Sequence, residues 1–221
     1  MRLNELKGRI PQQLYSVLEK EITELMPAQE KAVKAGLLEG KSLLVCTPTS
    51  SGKTLIAELA AISAILEKGK KAVYVVPLKA LANEKYNDFK NRYGSFVKIA
   101  MSIGDLDSTD SYLADYDLII TVSEKLDSLI RHYAPWISMT GVVVIDEIHL
   151  LNDSGRGPTL EILITILRQL LKNVQIIALS ATIGNPEELA EWLGAGLVAD
   201  NWRPVKLMKG IYLDGEVEFE D

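Results

Sequence analysis

Residues 47–54 read Thr-Pro-Thr-Ser-Ser-Gly-Lys-Thr, directly after the apolar run "SLLVC" and before a segment with helical spacing. A loop of small residues between a strand and a helix lets successive backbone N–H groups curl around phosphate oxygens, and the helix N-terminus adds a favourable dipole. Thr47, Pro48, Thr49, Ser50, Ser51 and Gly52 would form that cradle. Lys53 would reach the β- and γ-phosphates of a bound nucleotide, and the Thr54 hydroxyl would ligate Mg²⁺. Thr47 stands where the general phosphate-loop pattern has its first glycine, so an ordinary strand-to-helix turn that happens to contain Gly-Lys-Thr is the alternative.

A second chemical group follows at 142–149, Val-Val-Val-Ile-Asp-Glu-Ile-His. Metal-assisted phosphoryl transfer needs an acid to hold the cation and a polar group to orient the attacking water. Asp146 fits the first role and Glu147 the second, which makes Lys53, Asp146 and Glu147 the candidate catalytic set and Thr54 with Asp146 the candidate metal ligands. Alone, Asp-Glu after a strand could equally be an acidic helix start. The phosphate loop earlier in the same chain favours the chemical reading.

The elements that must position these groups alternate along the chain. Short Val/Ile/Leu runs at 42–46, 71–77, 97–101, 117–122, 141–147 and 174–180 predict strands, and amphipathic segments at 53–67, 79–92, 123–131, 157–171 and 186–193 predict helices between them. Two further helices are predicted at 12–25, behind Pro11, and at 28–38, ahead of Gly40. This rhythm implies an α/β fold, a mostly parallel sheet with helices on both faces and ligands at the carboxyl ends of its strands.

Composition sets the outer bounds. A formal net charge of −6 over 221 residues argues against a broadly basic surface, so nucleic-acid contact would rest on local cations and backbone groups. One cysteine, Cys46, and two histidines make a His/Cys metal cluster unexpected and suit a reducing compartment. No 18-residue apolar segment and no signal-like N-terminus occur, which leads us to expect a soluble, cytoplasmic protein without membrane attachment.

At Asp-Glu-Ile-His the chain resembles the DExH-box helicases of superfamily two. Further segments resemble that family's motifs in order: Gln29 in "LMPAQ" its Q motif, "PLKALANEK" (77–85) motif Ia, "GDLD" (104–107) motif Ic, "TVSEKLDSLIR" (121–131) motif Ib and "SAT" (180–182) motif III. Within the family, "ITELMPAQEKAV", "DEIHLLNDSGRGPTLEIL" and "NWRPVKLMKG" are similar to the Ski-type branch, and there to the archaeal Holliday-junction-migration helicases.

The resemblance implies a RecA-like P-loop NTPase domain fuelled by ATP with Mg²⁺, moving 3′ to 5′ along single-stranded or branched DNA in fork or junction repair. RNA as the track stays open, because phosphate-reading loops tolerate either backbone. It implies N-terminal helices with the Q motif over 1–40, RecA-like domain 1 over 41–201, and from 202 to 221 the start of a linker to a second RecA-like domain that would supply arginine fingers. On this reading the chain is a fragment, a motor domain inactive or weakly active alone. The alternatives are a nucleotide-dependent binding module without turnover and another P-loop NTPase; the latter lacks support, since no Asn-Lys-x-Asp guanine signature occurs.

Residue by residue, the resemblance assigns nucleic-acid contacts to Pro77, Lys79, Ala80, Gly104, Asp105, Thr121, Ser123 and Lys125, with Lys79 and Lys125 either touching phosphate or lying solvated on helix faces. Asp105 as a carboxylate would shape its loop rather than attract phosphate. His149, Ser180, Ala181 and Thr182 would couple nucleotide state to motion. Gln29 would read adenine's hydrogen-bonding edge, or else be a plain surface residue. Tyr74, Tyr86 and Phe89 read as packing, and Trp136, Trp192 and Trp202 as structural anchors.

Overall fold

The computed structural model describes residues 1–104, 110–205, 208, 210–213 and 215–219 of the chain. Seven strands form one sheet: β1 Leu43–Cys46, β2 Lys71–Val76, β3 Ile99–Ser102, β4 Leu118–Val122, β5 Thr140–Ile145, β6 Gln175–Ser180 and β7 Gly196–Ala199. Their order is β3-β4-β2-β5-β6-β1-β7, and every pairing is parallel. Parallel neighbours need crossover connections, which here are helices, and strands covered on both faces read as continuous apolar runs. All residues of β1, β2, β4 and β6 are buried.

Side-chain alternation divides the core in two. Leu43, Val45, Ala72, Tyr74, Val144 and Ile177 join the layer that also holds α3 (Lys53–Lys68), α4 (Lys79–Tyr93) and the N-terminal segment. Leu44, Val73, Val75, Val143, Ile145 and Ile176 face α5 (Ser123–Arg131), α6 (Gly157–Leu170) and α7 (Pro186–Leu193). This is the α/β layout the apolar runs predict, with the central strand and helix positions displaced by no more than a few residues. Trp136 is 1% exposed and anchors the second layer, and Trp192 packs at its margin; Trp202, 39% exposed, is no anchor.

The predicted N-terminal helices are shorter than their periodicity suggests. α1 spans Gln12–Leu18 and α2 spans Pro27–Lys34. Non-local pairing overrides the first: Leu25 donates to the Met1 carbonyl at 2.9 Å and Leu3 to the Thr23 carbonyl at 2.9 Å, so residues 23–25 lie extended beside the chain's start. Met26 must also be extended ahead of Pro27. The second helix stops at a turn in which Gly36 takes φ +102°, a left-handed value open to glycine. Leu3, Leu6, Ile10, Leu14 and Leu18 enter the same apolar cluster as α3, so residues 1–40 share the core of the sheet.

Arg92 of α4 ties the elements of this layer together, pairing with Glu21 at 2.6 Å and with Glu58 of α3. Tyr93 donates to Glu58 at 2.7 Å, and burial raises the Glu58 carboxyl above its ordinary range against the opposing pull of Arg92.

Edge strand β7 and the antiparallel hairpin of β8 (Gly210–Leu213) with β9 (Glu216–Phe219) were not expected from periodicity. The hairpin leaves Ile211, Tyr212 and Leu213 about 70% exposed, so burial supplied no pattern there to read.

Phe89 is 1% exposed, with its ring 5.5 Å from Tyr74 and 5.8 Å from Tyr93. Replacing it by alanine is expected to lower the unfolding free energy by about 3–5 kcal/mol, whereas Phe219→Ala on the exposed hairpin shifts it by no more than about 0.5 kcal/mol. Denaturant titration of the 221-residue chain measures both, and equal losses would contradict this division of the core.

Candidate functional site

The cradle leaves the carboxyl end of β1 and opens α3. Gly52 takes φ +76° and Ser50 φ +64°, so the loop reverses twice before Lys53 begins the helix. A Cβ on Gly52 would meet Gln29 Nε2 at 2.2 Å, so both conformation and space demand glycine there. Ser51 and Thr47 hold the loop from inside, their hydroxyls 2.6 Å apart, while Ser51 donates to the Pro48 carbonyl at 2.8 Å. Thr47, Pro48 and Ser51 are buried; Thr49 and Ser50 are exposed at the rim. The Thr47 hydroxyl thus has an internal job in the position where the general pattern has glycine. The Lys53 ammonium bends back onto the Thr47 and Pro48 carbonyls at 2.8 and 3.1 Å. Burial lowers the Lys53 ammonium below its ordinary range, while Glu147 and Asp146 pull it up.

Gln29 is 3% exposed, which removes the surface-residue alternative. Its Nε2 donates to the Gly52 carbonyl at 3.0 Å and its Oε1 accepts from the Met26 N–H at 2.8 Å. The amide therefore clamps the cradle and keeps one N–H and one lone pair for a ligand. Beside it a cleft of about 410 Å³ is lined by Gln29, Gly52, Thr54, Leu55, Lys85 and Asn91, among others.

The carboxylates stand at the end of β5. The predicted strand 141–147 stops at Ile145, because Glu147 turns into the left-handed region at φ +52°. Asp146 accepts from the Glu147 N–H at 3.0 Å and from the Tyr74 hydroxyl at 3.0 Å. Sequence reasoning assigned Tyr74 to packing. Its ring does pack, fully buried against Phe89, but its hydroxyl also holds the Asp146 carboxylate. Burial and then Asp146 raise the phenol well above its ordinary range, so it remains a donor. A tyrosine inside an apolar strand was the available signal, since a buried hydroxyl needs a partner. Lys85, likewise unassigned, donates to the Thr54 hydroxyl at 3.1 Å.

His149 lies in the short 3-10 turn Ile148–Asn152, its Nδ1 3.3 Å from Glu147 Oε2 without hydrogen-bond geometry. A cleft of about 560 Å³ separates His149 and Asn152 from Ile183 and Gly184, which follow Ser180, Ala181 and Thr182. Ser180 is buried, and its carbonyl accepts from the Thr47 N–H at 3.3 Å, linking β6 to the cradle. Cys46, one register step before, is a buried thiol raised by desolvation and thus a poor nucleophile.

The remaining sites follow β2, β4 and β3. Pro77, Lys79, Ala80 and Gly104 are at least partly exposed, and Pro77, Lys79 and Gly104 line one groove of about 370 Å³. Asp105 lies outside the described residues. Lys125 needs correction: it is neither a surface contact nor a solvated helix-face lysine. Its side chain is 1% exposed and pairs with Asp110 at 3.2 Å, which also accepts from Ser102 at 2.5 Å. Thr121 and Ser123 are buried too, the Thr121 hydroxyl donating to the Ser102 carbonyl at 2.7 Å, so their side-chain hydroxyls do not face the groove as open donors.

The family model of DEAD/DEAH box helicases matches residues 26–189, from the Gln29 clamp to the loop beyond Thr182. The chain belongs to this family. It is similar to the ATP-dependent DNA helicase Hel308 of Pyrococcus horikoshii, 52% identical over 222 aligned positions that cover all of this chain and 30% of that protein. The Hel308 of Methanocaldococcus jannaschii is 56% identical over 205 positions, covering 90% of this chain and 17% of that protein. Among solved structures, the helicase MrfA bound to DNA and AMPPNP superposes with a TM-score of 0.73 at 30% identity, covering 87% of this chain and 29% of that one. The fold is therefore the RecA-like motor fold of helicases, and the chain spans less than a third of the length of these relatives.

Within a helicase domain, the Tyr74–Asp146 hydrogen bond is a positioning contact. Tyr74→Phe keeps the ring and its packing but removes the donor to the carboxylate, and is expected to raise the Mg²⁺ concentration needed for half-maximal nucleotide turnover by about tenfold. The measurement is a Mg²⁺ titration of ATP hydrolysis in the full-length protein, with denaturation reporting packing separately. An unchanged Mg²⁺ midpoint would show that Asp146 holds its geometry without Tyr74.

Proposed function

We propose that this chain is the ATP-binding motor domain of an ATP-dependent DNA helicase of the Ski-type branch, acting 3′ to 5′ on single-stranded or branched DNA in fork or junction repair. The observation that carries the reading is that the cradle ending in Lys53 leaves β1 and the Asp146–Glu147 pair leaves β5 at one carboxyl edge of the sheet, with β6 between them. The Hel308 relatives are named as DNA helicases, and this supports DNA as the track.

The donor set fits Mg²⁺ shared with a nucleotide: one carboxylate already oriented by two hydrogen bonds and one hydroxyl at the first helical turn. Mg²⁺ with ATP, when bound, supplies the phosphoryl group and neutralises charge on its oxygens. The chain's own residues do the rest. The cradle N–H groups and Lys53 bind phosphate, with Lys53 exchanging its two loop carbonyls for phosphate oxygens. Thr54 and Asp146 hold the cation, Glu147 orients water, and Gln29 reads adenine with its spare N–H and lone pair. His149, beside the cleft that Ile183 and Gly184 also line, and residues 180–182 just before them couple this site to motion.

In this reading residues 1–40 carry the Q motif, 41–201 the motor, and 202–221 lead towards a second RecA-like domain that supplies arginine fingers to the phosphates. The protein works in the cytoplasm. No described helix is long and apolar enough to cross a membrane.

In the full-length protein, Lys53→Ala should abolish productive ATP binding; normal turnover would remove Lys53 from the cradle role. Glu147→Gln should still bind nucleotide while kcat falls by about 10²–10⁴-fold. Undiminished hydrolysis would move the water-orienting role elsewhere. For the 221-residue chain, nucleotide binding with negligible turnover is expected, and strong DNA-stimulated turnover would show that it completes its own site. Competition between matched DNA and RNA strands decides the track.

A further inference from the structure

Arg156 lies in the segment 146–163 that resembles the Ski-type branch but has no role assigned above, and its backbone is firmly held. After the 3-10 turn that follows Glu147, the Asp153 carboxylate accepts from the Gly155 and Arg156 N–H groups at 2.9 Å each. Those bonds hold the Asp153 carboxyl below its ordinary range, with the Arg156 charge adding to them. Gly157 then donates to the Asp153 carbonyl at 2.8 Å and passes so close to Leu151 that an added Cβ would lie 2.2 Å from its carbonyl oxygen. Arg156 caps α6, accepting from the Leu160 N–H at 3.1 Å. Backbone direction is thus set on both sides of the arginine.

Its half-buried side chain borders two adjoining spaces. One is a narrow crevice shared with Asp146, Glu147, Ser123 and Pro77. The other is the groove of about 370 Å³ that holds Lys79 and Gly104, with Glu124 as its acidic wall. Among the described residues no ion pair within 4 Å engages the guanidinium. With Lys125 buried on Asp110, Arg156 and Lys79 are the cations lining this groove. A guanidinium presents a planar fork of donors that matches a phosphate bidentately, which an ammonium cannot do.

We infer that Arg156 binds a backbone phosphate of the nucleic-acid strand in this groove and, through the fixed turn between Glu147 and α6, couples strand occupancy to the position of Glu147. The inference rests on the proposed helicase function and adds a residue to it: Arg156 is a strand-binding and positioning residue, with no base preference because phosphate carries no sequence information.

The test compares parent, Arg156→Gln and Arg156→Lys in the full-length protein, using an oligo-dT single strand. Binding is followed by fluorescence anisotropy over a range of KCl, and ATP turnover at saturating DNA is followed alongside. Arg156→Gln should weaken DNA binding by about tenfold and flatten the slope of log K against log[KCl] by about 0.7–1. It should also lower kcat at saturating DNA. Arg156→Lys restores the salt slope but not kcat, because charge returns without the fork. A Gln variant with the parental slope overturns strand binding, and a Lys variant that restores kcat fully overturns the coupling. A Gln variant that loses kcat with the salt slope intact assigns Arg156 to the nucleotide site alone, which also overturns the inference. If the Gln variant does not fold, Arg156→Met, which keeps the aliphatic stem and removes the charge, takes its place in the slope comparison. A parent without salt-dependent DNA binding would instead refute the helicase reading itself, and so separates the two failures.

Discussion

The architecture of the site depends on one pairing: β1 lies against β6 rather than against its successor β2, in a parallel register that sets Cys46 opposite Ser180. The crossover through α3 carries the chain past β6 and β5 before β2 is laid down, and the edge of the sheet is divided accordingly. Loops after β1, β6 and β5 carry the cradle, residues 180–182 and the Asp146–Glu147 pair. The carboxyl ends of β2, β4 and β3, with the segments that follow them, carry Pro77–Ala80, Thr121–Ser123 and Gly104. The Thr47 N–H donating to the Ser180 carbonyl continues the ladder one step beyond the strands, so the cradle is an extension of the sheet. Sites after such a reversal in strand order open a crevice at the carboxyl edge, the general place for ligands in open α/β sheets.

Polar groups at this edge satisfy one another through a few defined contacts. Gln29 spends half its amide capacity on Met26 and Gly52, Tyr74 crosses from β2 to Asp146, and Lys85 crosses from α4 to Thr54. Apart from the local Met26 bond, each contact joins elements far apart in sequence, so the geometry of the chemical groups depends on tertiary packing of the layers beneath. Phe89 against Tyr74 is an instance: an apolar contact in the core supports the ring whose hydroxyl aims a carboxylate.

Charge is used sparingly and often internally. In a chain with a formal net charge of −6, Lys125 is spent on Asp110, and Arg92 on Glu21 and Glu58. The buried pairs, Lys125 with Asp110 and Arg92 with Glu58, add little net stability against apolar substitutes, but removing one partner leaves an uncompensated charge, so they fix which elements meet. Among the described residues that line the groove beside Pro77 and Gly104, Lys79 and Arg156 are the cations.

The sequence by itself determined the chemistry and the layers. The small residues before Lys53, the acidic pair after an apolar strand and the alternation of Val/Ile/Leu runs with amphipathic segments are local patterns, and local patterns follow from backbone periodicity and residue size. Tertiary structure decided what local pattern cannot encode. The pairing of residues 1–3 with 23–25 ended a helix that its own spacing would have continued, because a non-local backbone ladder outweighed weak helical propensity. The burial of Lys125 depended on where Asp110 is delivered by a loop from another strand. The second role of Tyr74 depended on β2 and β5 being neighbours. Strand order is set by crossovers spanning dozens of residues, and no short-range periodicity in the chain carries that information.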